Sequence, residues 1–503
     1  MEPQIARRAI ASAFIGGIIA EVLFDRSQLG INVPLATAAM LVMVTLLGRH
    51  RRPADPLDAW LPILAMVASL GPAVRTDPSV VALDVWLAAA AVAAWSFAVS
   101  GVAVTRRTTG AVAMLGAQAA AACSIGLVWL LARADTAGIL SRGSRNLGRL
   151  APVARGALIA VPVVLGFSLL LTSADAVFGR ALDEALRLPF DVDEVVRRAM
   201  FSIAAAVLVA GPIAIAVGGS AEWVGRLDAQ ADAEVQQLAT APTRRSGGTE
   251  VLVVVIAVDI LFALFGAVQV VYLFGGTDTL TAIAMSYSDY ARQGYFQLVG
   301  VVALAGLLLL GAHAVVGRTR PFLVAALALL VLTAVILASA AVRLGLYQGA
   351  YGWTELRFFV AASIAWLGIS VALALTLLAA NRMQWLPHGL AMGAAAVTLA
   401  VSAIGPQAFV IHQNLARTLD PSLVAPGGHA GLDVDYGMTL GDDAIPDLVL
   451  ALEVVSEGDR RTLLDLLRVR RAEIEAEGAV AGPLSWNLAR ARAREALARL
   501  PAG

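Results

Sequence analysis

Residues Gly317–Val342 read GRTRPFLVAALALLVLTAVILASAAV. Two arginines and a proline give way at Phe322 to 21 residues without a single charge. About 20 apolar residues are what an α-helix needs to cross a ~30 Å hydrocarbon core. Inside a bilayer each backbone N–H and C=O must be bonded within its own segment or within a closed barrel. A barrel strand needs only ~9–11 alternating residues, so an unbroken run of this length predicts a membrane-crossing helix. The arginines before it predict which end of that helix stays in the cytoplasm.

The rest of the chain repeats the pattern. Apolar runs recur at Ala9–Phe24, Val33–Gly48, Leu57–Val74, Val80–Val104, Gly110–Ala132 and Gly156–Ser173. They continue at Ala199–Gly218, Val251–Phe274, Phe296–Val316, Phe358–Ala380 and Gly389–Gly405. The expected fold is therefore all-α, a polytopic transmembrane bundle of eleven to twelve spans. Composition agrees: 59% of the 503 residues are hydrophobic, 15% are charged and the mean hydropathy is +0.78. Globular proteins stay near ~45–50% apolar. Basic and acidic residues balance at 37 each, so overall charge gives no reason to expect a nucleic-acid partner. The lipid bilayer is the first partner implied. Cys123 is the only cysteine, which excludes an intramolecular disulfide. The run Ala9–Phe24 follows Arg7 and Arg8 without a small-residue cleavage site and reads as a retained helix.

Arginine placement sets the expected topology. RHRRPAD (Arg49–Asp55), TRR (Thr105–Arg107), GRTRP (Gly317–Pro321) and NR (Asn381–Arg382) are assigned to the cytoplasm, with the N-terminus inside and the C-terminus outside. Simple alternation then conflicts with the arginine-rich loop Arg133–Arg155. Reading Gly110–Ala132 as a re-entrant or paired segment resolves the conflict, and Gly116, Ala120 and Ser124 at four-residue spacing offer a close-packing face.

After residue 405 apolar density falls. Residues 406–441 read as a linker and 442–503 as a small extracytoplasmic helical domain, beyond a transmembrane domain of 1–405. Asp442 and Asp443 are placed to cap a first helix with Ile445, Leu448, Val449, Leu452 and Val455 on one face, ended by Gly458. A second helix carries Leu463, Leu464, Leu467 and Ile474. A third starts near Ser485 and presents Trp486, Ala489, Ala493, Leu497 and Leu500.

Several motifs carry a resemblance: YSDYARQGYFQLVGVVAL (Tyr287–Leu304), YGWTELRFF (Tyr351–Phe359), SADAVF (Ser173–Phe178), QNLAR (Gln413–Arg417) and LDVDYGMTLGDDAIPDL (Leu432–Leu448). On these the chain resembles a bacterial polytopic membrane family, domain of unknown function 4173. The resemblance implies a multi-pass bacterial plasma-membrane protein and brings no catalytic residues.

Chemistry has few handles. The five histidines occur singly, and neither a phosphate loop nor a strand-linked GxGxxG is present, so no metal and no cofactor is expected. Charged groups inside a bilayer cost at least a few kcal/mol and mark candidate sites. Asp259 with Gln269 nearby, and then Glu21 and Asp84, are the intramembrane candidates; each is also open to a bland reading as a hydrogen-bonded carboxyl. The pair Gly211-Pro212 interrupts a run in the way that transport helices are broken. A second cluster is aromatic: Tyr287, Asp289, Tyr290, Arg292 and Tyr295 in one loop, Tyr347, Tyr351, Trp353, Glu355 and Arg357 in another. It reads either as an interfacial belt or as an outward docking surface in which Asp289–Arg292 and Glu355–Arg357 pair across the loops. The residues point to an envelope sensor or assembly platform that meets a protein partner there, and lean away from an enzyme. The alternative is a proton- or cation-coupled transporter centred on Asp259. A polyprenyl-linked glycosyltransferase ranks third, because its outer loop would be only Asp25–Asn32.

Overall fold

The computed structural model describes residues 3–134, 192–219, 246–274 and 295–501, apart from a few single positions in loops. Among these residues every regular element is helical. The run Gly156–Ser173 lies outside the described residues. The other eleven runs are helices: α1 Pro3–Phe24, α2 Asn32–Leu47, α3 Leu61–Ser69 continued by α4 Gly71–Val74, α5 Pro78–Ser100, α6 Thr109–Arg133, α7 Val192–Ala214, α8 Ser246–Phe274, α9 Tyr295–Val316, α10 Arg320–Tyr351, α11 Glu355–Ala379 and α12 Leu386–Ile404. Eight described segments are long and apolar enough to span a bilayer, and α2 and α9 contribute shorter apolar stretches.

Packing follows the rule for helices in lipid, where contact depends on close backbone approach and not on withdrawal from water. Ala6, Ala9 and Ala13 of α1 are fully buried, whereas Ile15, Ile18 and Val22 of the same helix are more than half exposed. Small residues face protein and branched ones face lipid. Helices α1, α2, α3, α5, α6 and α7 share one apolar cluster, and α8 to α11 share another. Helix α12 packs on both α11 and α5, joining the two groups.

Two sequence expectations change here. Thr109–Arg133 is one unbroken helix of 25 residues and not a re-entrant segment, lying antiparallel to α7, so the arginine-rich loop Arg133–Arg155 begins at the end opposite Thr105–Arg107. Its packing face is also displaced from the expected one. A Cβ on Gly116 would meet nothing within 4 Å, while Gly126 and Cys123 lie against Gly211, whose added Cβ would be 2.8 Å from the Cys123 Cα. Gly211 thus permits a helix crossing, and α7 runs through Pro212 into a wider turn at Ile215–Gly219.

The bundle has two distinct ends. His50 N bonds Val99 O, and Ala54 N bonds Ala98 O. The buried Asp58 accepts from Val104 N at 3.0 Å and from the Thr105 N–H and hydroxyl. Trp60 and Trp385 both contact His388 edge-on. Together with the His313–Phe322 contact, these gather the four arginine-bearing loops at one end, called here the arginine end.

At the opposite end sit α13 Pro406–Leu419, α14 Val434–Thr439, α15 Ile445–Ala451, α16 Glu457–Val480 and α17 Leu488–Leu497. Val410, Ile411 and Leu415 of α13 lie in one cluster with Leu448, Leu463, Leu467, Ile474, Ala493 and Leu497, so the stretch 406–441 supplies helices to the core of residues 442–500. Asp442 and Asp443 do not cap α15, which starts without a side-chain cap. Both carboxylates are spent on more distant partners. Gly458 stands in the first turn of α16 and does not terminate α15, which stops at Ala451. Trp486 is half-exposed, outside the buried set that contains Ala489, Ala493, Leu497 and Leu500.

Candidate functional site

The seam between the bundle and helices α13–α17 holds the densest buried polar cluster described. Its centre is the loop Arg75–Thr76–Asp77 between α4 and α5. Asp77 has Pro78 behind it and accepts from Ser79 N (2.9 Å) and Val80 N (3.3 Å), an N-cap that fixes the loop and starts α5. Cap geometry turns the preceding backbone N–H groups outward, and Asp443 receives them. Its Oδ2 accepts from Thr76 N (2.6 Å), Thr76 Oγ1 (2.8 Å) and Asp77 N (3.2 Å), while Oδ1 faces Arg75 Nη1 at 3.3 Å. The Arg75 guanidinium also donates to Ser402 O at 2.7 Å and to Ala403 O, across the end of α12. It fills the place of a side chain at Gly405 (φ +74°), where a Cβ would lie 2.3 Å from Nη1. Asn487 completes the seam with bonds to Pro72 O (2.8 Å) and Arg75 O (2.9 Å).

Beside Asp77 stands Glu355, the first residue of α11, whose N–H donates to the Tyr436 hydroxyl at 2.8 Å. Asp77 Oδ2 is buried and receives no conventional donor, yet the Glu355 carboxyl lies within bonding reach. Two carboxyls can bond each other only with a proton between them. Gln407 of α13 joins them by bonding the Glu355 carboxyl and accepting from Gly441 N at 2.9 Å. Burial pushes the Asp77 carboxyl above its usual 3.8, with the Asp443 charge adding to it and the Val80, Ser79 and Glu355 bonds opposing. The docked state therefore holds a proton that the separated groups would release. Its stabilising effect is complete below 3.8 and is lost as pH rises through the elevated value. Amide exchange of α15 and α17, corrected for the intrinsic rate, is expected to quicken as pH rises above 3.8. Asp77→Asn keeps the cap acceptor and should flatten that dependence; an unchanged slope would remove Asp77 from the explanation.

The expected candidates are dispersed. Asp84 is fully buried one helical stretch below Asp77; its Oδ2 accepts from Ser402 Oγ at 2.7 Å, and Oδ1 has no bond. Glu21 and Asp25 pair with Arg198 and Arg197 of α7, the shortest contact being Asp25–Arg197 at 2.6 Å. Asp259 sits against the first turns of α10, in a shallow hollow with Arg320 and Pro321, far from the seam; its Oδ1 has no hydrogen bond. The side chain of Gln269 lies outside the described residues, as do Tyr287, Asp289, Tyr290, Arg292 and the side chain of Tyr295.

The second aromatic loop is described, and its residues divide. The Tyr347 and Tyr351 rings meet at 5.2 Å with their planes tilted by 54°, and the Arg357 guanidinium lies 4.1 Å over Tyr347 and is bonded to Tyr351 O and Gly352 O. Glu355 turns away from Arg357 toward Asp77, so the two belong to different groups. Trp353 is neither lipid-facing nor free to dock: Asn414 brackets its backbone N (2.7 Å) and O (2.8 Å), and its ring meets Phe409 at 4.8 Å. Arg417 donates to Gln348 O, Gly349 O and Ala350 O, closing the C-terminus of α10. The QNLAR motif is thus a clamp on the α10–α11 loop. Sequence reading missed Arg75, Asp77, Gln407, Asn414, Arg417 and Asn487 as a set: Arg75 and Asp77 share a loop and Asn414 and Arg417 share QNLAR, but no local pattern ties those two stretches to each other or to Gln407 and Asn487.

Among the described residues no group of three His, Cys, Asp or Glu side chains could hold a metal ion. The cluster's chemistry is proton binding and dense charge-assisted bonding between two structural units.

No curated protein and no solved structure matches this chain. A family model does, and it corrects the resemblance drawn from the motifs: the match is to Domain of unknown function (DUF4153), not to the family numbered 4173. It covers residues 63–451, which takes in all the quoted motifs and the Arg75–Asp443 seam but not α1, α2, α16 or α17. Since the match exceeds half of the sequence, the chain belongs to the DUF4153 family.

Proposed function

We propose that this protein is an assembly or sensing platform in a bacterial plasma membrane, presenting helices α13–α17 on the extracytoplasmic face to a protein partner of the envelope. The observation that supports this most is the seam itself. A solvent-excluded carboxylate with four donors holds these helices against the Arg75–Asp77 loop of the bundle, a fixed presentation and not a tethered one. A rigid, polar-faced unit beside a membrane suits recognition of protein surface. Sidedness follows from the arginine end, which the positive-inside rule assigns to the cytoplasm. That leaves the N-terminus inside and the C-terminal helices outside. The shared cluster of α13 with α15–α17 favours counting residues 406–500 as one unit.

Single cysteines in a Cys123→Ala background test the orientation. Arg382 and Glu475 are both exposed, at opposite ends. A membrane-impermeant maleimide should label Glu475→Cys in intact cells and Arg382→Cys only after permeabilisation. The reverse pattern would place the helices in the cytoplasm and end the envelope-platform reading.

A further inference from the structure

Between α9, α10, α11 and the start of α12 lies a cavity of about 380 Å³, bordered by Gly306, His313, Phe322, Trp366, Met383 and Leu390 among others. It runs inward from the arginine end, where His313, Phe322 and Met383 stand, to the level of Thr333 and Trp366. Its lining offers a ligand almost no polar atoms. Thr333 Oγ1 is turned to Leu329 O of its own helix at 2.6 Å, and Ser370 Oγ to Trp366 O at 2.8 Å. Trp366 Nε1 reaches Leu390 O at 3.5 Å. The one buried polar atom in the lining without a hydrogen bond is His313 Nδ1, at the arginine end. A water molecule or ion inside the groove would lack the two to four partners it needs. A small polar substrate would fare no better. What this space can hold is an unbranched apolar chain.

The mouth adds a second requirement. Arg382 immediately precedes Met383 of the lining and is exposed at the arginine end. An apolar chain seated here emerges beside Arg382 and the Trp60, Trp385 and His388 rings, at the depth where headgroups lie. We infer that the groove binds one acyl chain of an anionic phospholipid, whose phosphate sits against Arg382 at its mouth. Gly306 fits this role: it lines the groove, and a Cβ there would meet nothing within 4 Å. The wall has room that no side chain of α9 takes up.

The test uses the full chain in detergent, exchanged with phosphatidylglycerol or phosphatidylcholine and analysed by native mass spectrometry after mild delipidation. The wild-type chain should keep one phosphatidylglycerol and release phosphatidylcholine. Gly306→Leu should lower retained lipid about tenfold. Gly311→Leu, which adds the same bulk to α9 outside the groove, should retain lipid like the wild type. If Gly306→Leu fails to assemble, Ser370→Leu fills the groove from α11 instead and should show the same loss. Equal retention by the groove-filling and control variants overturns the site. So does equal retention of the two lipids, which would leave Arg382 without a role. A lipid-free wild-type dimer that Gly306→Leu turns into monomer would instead make the groove a contact between copies.

Discussion

Asp443→Ala is expected to free helices α13–α17 from the bundle. The Asp443 side chain is 2% exposed and the Arg75 side chain 13%, so their charges meet largely away from water. Removing one member of such a pair costs about 3–5 kcal/mol, because the remaining charge stays buried without compensation. Two backbone N–H groups and the Thr76 hydroxyl lose their acceptor in the same step. Their losses overlap with the charge effect and are not added to it. Asp443→Asn should lose less, since an amide oxygen still accepts. Amide exchange should rise in 74–78 and in α13 together, and not at the Asp58 clamp of the other end. Unchanged exchange in 74–78 would show that the seam is held elsewhere.

Gly17→Leu is expected to have a comparably large effect at another place and by another route. A Cβ on Gly17 would lie 2.3 Å from Ser202 O and 3.0 Å from Ala206 N, both backbone atoms of α7. Flexible side chains can move aside; a helix backbone cannot, so α1 and α7 must separate. Overpacking of interiors costs about 1–3 kcal/mol and more where backbone must shift. Separation would also pull Glu21 and Asp25 from Arg198 and Arg197. Gly116→Leu, placed where a Cβ meets nothing, is the matched control. The melting temperature of Gly17→Leu should fall well below that of Gly116→Leu; equal values would mean that the α1–α7 contact contributes little.

What sequence could and could not foretell divides along physical lines. Membrane helices were legible because their cause is local: a run such as Phe322–Val342 has to be helical in lipid whatever its neighbours do. That the four arginine-bearing loops share one end was legible for a similar reason, since arginine in short loops acts through the nearest helix ends. The packing face of α6 was not, because many Gly and Ala spacings permit close approach and only the partner, here Gly211, selects one. The seam was least legible. Asp443 satisfies the local rule for a helix cap, yet its donors lie 366–368 residues away, at Arg75, Thr76 and Asp77. Glu355 and Arg357 have the spacing of a loop pair, but burial beside Asp77 draws one of them off. Local propensity assigns such residues a near neighbour, and tertiary burial overrides it.

Ser485 and Asn487 carry one more implication, which concerns the order of synthesis. Gln28 N bonds Ser485 Oγ across 457 residues, and Asn487 reaches Pro72 O across 415. At about 5–20 residues per second, the loop around Gln28 emerges roughly 20–90 s before its partner exists. For that interval the carbonyls of Pro72 and Arg75 must be served by water or by a chaperoning surface. The helices can insert one after another as they appear, but the seam closes only when residue 487 arrives. Docking thus works as a completeness check: a chain interrupted within α16 holds a membrane bundle whose seam loops were never sealed.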